Sequence, residues 1–255
     1  MKTSIALAGL AAAAFAAPAL AGSVTQIQPG AAGEPSVAEI GNAVMGQSFS
    51  LAQYNTLGGG VASLGANAGR LSDDVDQVFK DGIVSVTFTA LFWGGNGIND
   101  PVGSANHTFG YSLDNGAKQD VFNTGSTGLN DSVTISPAIG SGDIRWFAER
   151  GNNTAWSDPS LNSAVGATGS TDRMVAFNLD GLSSIALLGP GGGSVNLNSG
   201  AANRFSYLLF FDTGRDGDYN DLVVLVEGVA NVIPLPSNAA LGLAGLTAIG
   251  LRRRR

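Results

Sequence analysis

A chain of 255 residues with 44% hydrophobic and only 13% charged residues can bury a sizeable core, and 37 glycines mark a turn-rich, β-leaning molecule. It has no cysteine and a single histidine, His107, which excludes disulfides, thiolate metal sites, cysteine nucleophiles and any site that needs two histidines. The net charge of −7 conceals a central region, Glu34 to Glu227, that holds all 20 acids but only 8 of the 13 bases; a body this acidic is unsuited to nucleic acid and suited to cations and to solubility outside the cell.

At the start, Lys2, an apolar run from Ser4 to Ala17 and the triplet Ala19-Leu20-Ala21 have the form of a secretory signal. Residues 1–21 are therefore expected to be cleaved off after Ala21 and the remainder exported. Residues 22–82 are expected to lead into the main domain or to pack on it. Within them Ser36-Val37-Ala38-Glu39 has the form of a capping box, which predicts a short helix over Val37–Met45. Gly58-Gly59-Gly60 then breaks the chain. Asp73, Asp74, Asp76 and Asp81 follow. Ser72 can cap one helical turn with acids at its favourable end, and a second ion site is the alternative.

Residues 83–232 read as the main domain. Ile83 to Thr89 places Val84, Val86 and Phe88 on one face and Ser85, Thr87 and Thr89 on the other, the pattern of a half-buried strand. Ser132–Ile135, Arg173–Leu179, Ser184–Leu188 and Arg204–Phe211 are further strands. Turns at Asp114-Asn115-Gly116, Asp180-Gly181 and Gly189-Pro190-Gly191-Gly192-Gly193 separate them. The last of these lacks the Lys-Ser/Thr of a phosphate-binding loop. Leu222 to Val226 is apolar at every position and fits a strand covered on both faces. Short strands at this spacing predict an all-β fold, a β-sandwich of jelly-roll type. His107 lies among loop signals, with no nucleophile or orienting acid evident beside it. Trp93, Trp146 and Trp156 are core residues or, if exposed and coplanar, a sugar-stacking platform.

The stretch FFDTGRDGDYNDLVVLVEGV, Phe210 to Val229, crowds Asp212, Asp216, Asp218 and Asp221 into one turn before an apolar run. Like charges this close repel, more so where water is excluded. Asp216, Asp218 and Asn220 alternate, so their side chains can converge, and Asp212 and Asp221 are near enough to join them. Calcium takes six to eight hard oxygens, and Gly214 and Gly217 let the backbone bend around it. Asp212, Asp216, Asp218, Asn220 and Asp221 are the expected ligands; a solvated, Asx-rich turn is the alternative. An EF-hand is excluded, because Asp221 stands where that loop needs glycine and a strand follows where it needs a helix.

The tail combines Ile233-Pro234-Leu235-Pro236, an uncharged and mostly apolar run to Leu251, and Arg252, Arg253, Arg254 and Arg255. A transmembrane helix starting near Ser237 is expected, with the arginines on the cytoplasmic side. This three-part tail, residues 233–255, resembles the PEP-CTERM sorting signal of Gram-negative bacteria, with Leu235 where that family has Glu, as in its VPLP variant. The resemblance implies processing by an exosortase, a membrane-embedded protease, and display at the cell surface or on extracellular polysaccharide. The body resembles the bacterial domain of unknown function 4114 through FGYSLDNGA (Phe109–Ala117), AWSDPSLN (Ala155–Asn162), DRMVAF (Asp172–Phe177) and LLFFDTGRDGDYNDLVVLV (Leu208–Val226). That resemblance implies a β-rich extracellular domain and no established activity. The expected function is a non-enzymatic, calcium-stabilised protein of the envelope, surface or matrix. A carbohydrate-binding module and a glycan-active hydrolase using paired carboxylates are the alternatives.

Overall fold

The computed structural model describes residues 24–56, 69–73, 76, 78–80, 85–135, 142–163, 170–197 and 205–229. The expected signal segment ending at Ala19 and Ala21 and the sorting tail from Ile233 to Arg255 lie outside the described residues. Among the described residues no helix is long and apolar enough to cross a membrane.

Two helices come first, α1 (Val37–Met45) and α2 (Leu51–Tyr54). The strands are β1 (Gly69–Arg70), β2 (Phe79–Lys80), β3 (Val86–Phe92), β4 (Gly94–Gly97), β5 (Asp100–Val102), β6 (Thr108–Leu113), β7 (Gln119–Asn123), β8 (Ser132–Ile135) and β9 (Asp143–Arg150). They continue with β10 (Asn153–Trp156), β11 (Met174–Asn178), β12 (Ser184–Ala186), β13 (Ser194–Asn196), β14 (Phe205–Phe211) and β15 (Leu222–Val229). Helix α1 has the expected bounds because its start is fixed locally. Ser36 Oγ accepts from Glu39 N, and the Glu39 carboxylate accepts from Ser36 N at 2.8 Å.

Six strands form one antiparallel sheet in the order β1-β11-β14-β15-β3-β8. A second sheet runs β10-β9-β6-β7, with β2 also paired to β9. The two sheets pack face to face over an aromatic layer that includes Phe79, Phe88, Phe109, Trp146, Tyr207 and Phe211. The opposite face of the six-stranded sheet carries Phe177, Leu208, Phe210, Val223 and Leu225, covered by Val37, Ile40 and Val44 of α1, by Tyr54 and by Ile185 of the β12–β13 hairpin. The molecule is thus an antiparallel β-sandwich with a helical cover.

This layering explains why β15 is buried at every position. Leu222, Val224 and Val226 face the inter-sheet layer, and Val223 and Leu225 face the helices. The expected half-buried strand is seen from Val86, where Val86 and Phe88 are buried and Thr87 is half-buried, and needs correction only in its reach: β3 runs on to Phe92 and is covered on both sides from Thr89. Its hydroxyls pair across to β8, Thr87 with Thr134 at 3.0 Å and Thr89 with Ser132 at 2.7 Å. A bulge at Leu91 sends Leu91 and Phe92 together toward the helices and returns Trp93 to the inter-sheet layer.

Candidate metal centre

Strand β14 ends at Phe211, β15 begins at Leu222, and these two residues pair with each other. Residues 212–221 therefore leave the sheet and return to the same point. Asp212 N donates to Arg173 O and Asp221 N to Phe211 O, so the two aspartates stand side by side at the neck although nine positions separate them. Asp216 and Asp218 come back toward them from the tip. One carboxylate oxygen from each of the four lies within 4.8 Å of the others. Asp212, Asp218 and Asp221 are buried, and Asp216 is exposed, which leaves one open side.

Backbone donors shape the ring. Asp212 accepts from Arg215 N at 2.5 Å and from Gly217 N at 3.1 Å. Asp221 accepts from Gly214 N and pairs with Arg150 Nη1 at 3.4 Å. Asp218 Oδ1 accepts from Asn220 N, but its Oδ2 is buried with no hydrogen-bond partner. The fifth expected ligand, Asn220, is buried beside the cluster with its Nδ2 donating to Pro35 O at 3.0 Å, so its amide nitrogen ties the segment before α1 to the turn. Gln28 N makes a parallel tie to Gly217 O at 2.8 Å. Tyr219 is a packing residue: it is buried and donates through its hydroxyl to Asp172 O.

Crowding and burial act on the same groups. Burial, reinforced by the Asp216 and Asp221 carboxylates, pushes Asp218 up to about 8. Burial with the Asp212 and Asp216 charges moves Asp221 up to about 6, against the opposing Gly214 N–H and Arg150. Asp212 is also raised, chiefly by burial. Asp218 therefore keeps its proton at neutral pH unless a cation joins the cluster. The cluster either keeps a proton or holds a metal ion, and its all-oxygen donor set with an open side fits a hard divalent cation.

Several supporting residues carry no signal in the sequence. Arg173 is fully buried, and its Nε and Nη2 both donate to Asp212 O while Nη1 reaches Thr154 O. His107 is also fully buried, with Nε2 at 3.2 Å from Thr213 Oγ1, and 106 positions separate the two in the chain. Burial and the nearby Arg150 charge hold His107 down at about 4, so it is neutral. A cavity of about 70 Å³, lined by Glu34, Ser104, Arg150, Asn220 and Asp221, borders the cluster. It has room for about two waters.

The tryptophans divide. Trp93 and Trp146 are buried in the inter-sheet layer. Trp156 is half-buried on the outer face of the second sheet, with Phe147 at 5.1 Å between ring centroids.

No family model matches the chain, and no curated protein matches it in sequence. Solved structures similar to it include the C-terminal domain of the BC2L-C lectin of Burkholderia cenocepacia (13% identity, 60% of this chain and 94% of that one, TM-score 0.31). A Chromobacterium violaceum lectin in complex with α-methyl-fucoside gives 14%, 60%, 95% and 0.32. A high-affinity mannose-binding lectin of Ralstonia solanacearum gives 16%, 60%, 94% and 0.32. TM-scores this low carry no ligand or site over to this chain.

Proposed function

We propose that this chain is an exported, non-enzymatic protein of the cell surface or extracellular matrix, whose jelly-roll type sandwich is stabilised by calcium at the β14–β15 turn. The observation that carries the cation is Asp218. Its Oδ2 is buried without a hydrogen-bond partner, and one of its carboxylate oxygens lies within 4.8 Å of those of Asp212, Asp216 and Asp221. Asp212, Asp216, Asp218 and Asp221 would hold the ion, and its charge would relieve their mutual repulsion. The rest of the turn is already arranged by the chain itself: Arg215 N and Gly217 N orient Asp212, Gly214 N orients Asp221, and Arg173 fixes the neck. Calcium suits a looped, carboxylate-rich cage better than magnesium, which keeps its waters and demands octahedral geometry.

Export rests on the Lys2-to-Ala21 leader and the Ile233-to-Arg255 tail. They support an exosortase as processing partner, the membrane as a transient partner of the tail, and display on a Gram-negative-type envelope. Melting the full chain in EDTA and in excess calcium tests the cation. At a hundred times its dissociation constant a ligand adds about 2.7 kcal/mol, a rise of several degrees. The rise is expected to vanish in Asp216→Ala and Asp218→Ala; no rise in a folded wild type overturns the cation. Unchanged surface display after deletion of Arg252–Arg255 overturns the sorting assignment.

A second reading, glycan binding, is favoured by one surface feature. Gly110 lies beneath the Phe147 ring: a Cβ there would come within 2.6 Å of it. The Phe147–Trp156 pair lies under Lys118 Nζ, at 5.0 and 5.5 Å from the ring centroids, beside Glu149 and Thr154. Phe147 is fully buried and its ring is tilted by 52° to that of Trp156, so it is the half-buried Trp156 with its polar neighbours that would meet a sugar ring of the producer's own exopolysaccharide. Retention on that polysaccharide is expected to fall in Trp156→Ala while circular dichroism shows the sheet structure kept; equal retention removes this reading.

A further inference from the structure

A second group of acids meets where β11 begins. Pairing of β1 with β11 brings the segment after Arg70 alongside Asp172, about a hundred positions later in the chain. Asp73, Asp76 and Asp172 are 6%, 1% and 5% exposed. Among the described residues the expected turn after Ser72 shows one bond, Asp76 N to Ser72 O at 3.2 Å, and it turns Asp73 and Asp76 inward.

The three carboxylates are not equally occupied. Asp73 accepts from Thr25 N and from Arg70 Nη2 at 3.3 Å. Asp172 Oδ1 accepts from Met174 N at 3.3 Å, whereas Asp172 Oδ2 has no partner. Both oxygens of Asp76 are buried and make no well-formed hydrogen bond, and the nearby Ala176 N–H is the backbone donor that favours their ionised form. Three carboxylates against one guanidinium leave a deficit of two positive charges in a buried place. Water alone could donate to these oxygens but would leave their charge uncompensated.

We infer that Asp76 and Asp172 are the protein ligands of a second hard divalent cation, of calcium type, at the β1–β11 edge of the sheet. Asp73 is not assigned as a ligand, since these three do not converge within 4.8 Å as the Asp212 cluster does. It contributes charge from behind while holding Arg70 and Thr25. The remaining positions are for backbone carbonyls and water, as hard cations accept. The ion brings the local charge to zero. It also stands at a junction: Asp73 holds the segment at Thr25, and Asp172 O receives the Tyr219 hydroxyl from the acidic turn. The two sites share no ligand, so each stands or falls alone.

Equilibrium dialysis of the full chain against calcium at neutral pH tests this. The wild type is expected to bind two ions tightly, Asp76→Asn one and Asp218→Asn one. Asp172→Asn takes the place of Asp76→Asn if circular dichroism shows the latter unfolded. Loss of one ion with Asp76→Asn but none with Asp218→Asn upholds this site and removes the first. Wild-type stoichiometry in both Asp76→Asn and Asp172→Asn overturns this site and leaves the first untouched. A rise in melting temperature in these variants at unchanged stoichiometry likewise overturns it, because the carboxylates then share protons.

Discussion

The turn between β12 and β13 and the turn between β14 and β15 both return the chain into an antiparallel pair, yet only the first bends on glycine alone. Its left-handed residues are Gly189 and Gly191; it closes on itself through Gly192 N to Gly189 O and Leu187 N to Gly193 O, and is tied outward by Gly189 N to Ile98 O and the Asn130 amide to Leu188 O. The second turn puts Arg215 and Tyr219 in left-handed backbone beside Gly217. A non-glycine residue in that region costs about 1–2 kcal/mol. The cost is offset by contacts from elsewhere: Arg173 on Asp212 O, Asn220 on Pro35 O, Gln28 on Gly217 O and the Tyr219 hydroxyl on Asp172 O. One turn follows from local backbone freedom, and the other is a tertiary construction that exists to bring carboxylates together.

The difference can be broken at its strongest point first. Arg173→Ala removes two donors from the Asp212 carbonyl in a fully buried place and leaves a void, so a loss of about 3–5 kcal/mol is expected in urea unfolding. A loss below about 1 kcal/mol would mean that the neck holds without it.

Acid should discriminate next. His107 sits behind Thr213 and titrates at about 4 in the fold against an ordinary 6.5. Between those values the unfolded chain binds the extra proton. Stability from this group is therefore complete above pH 6.5 and is lost as pH falls toward 4, on the order of 3 kcal/mol in all. Across that range the melting temperature of His107→Gln should fall less, or rise more, with acid than that of the wild type, because the raised carboxylates act in the opposite direction; an identical slope would remove His107 from the support of the turn.

The smallest effect belongs to the glycine turn. A Cβ at Gly191 meets nothing within 4 Å, so Gly191→Ala should cost only its left-handed backbone, about 1 kcal/mol. Any calcium-induced rise in melting temperature should be the same in this variant as in the wild type. A changed rise would mean that the two turns are coupled.

How far the sequence could be read follows the range of the interaction involved. Helix α1 was legible to the residue because Ser36 and Glu39 satisfy each other within four positions. Strand β15 was legible because an unbroken apolar run has no polar face to expose. Strand β9 went unread: Ile144, Trp146 and Ala148 join the inter-sheet core, but Arg145 and Phe147 on its other face are buried too, by contacts that its own residues do not announce. The four clustered aspartates lie within ten positions, so their proximity was legible. Their burial was not, because it depends on the segment before α1 folding across the turn.

By itself the sequence determined what short-range chemistry decides: the acidic balance, the absence of cysteine, the capped helix, the alternation of strands and the crowding of carboxylates after Phe211. Only the tertiary structure decided which acids lose their water. Asp76 and Asp172 meet because β1 pairs with β11, and His107 meets Thr213 across 106 positions. Sheet pairing sets such contacts, and no local pattern encodes them. Burial then raises the energy of each unpaired charge, and so turns a list of aspartates into candidate places for a cation.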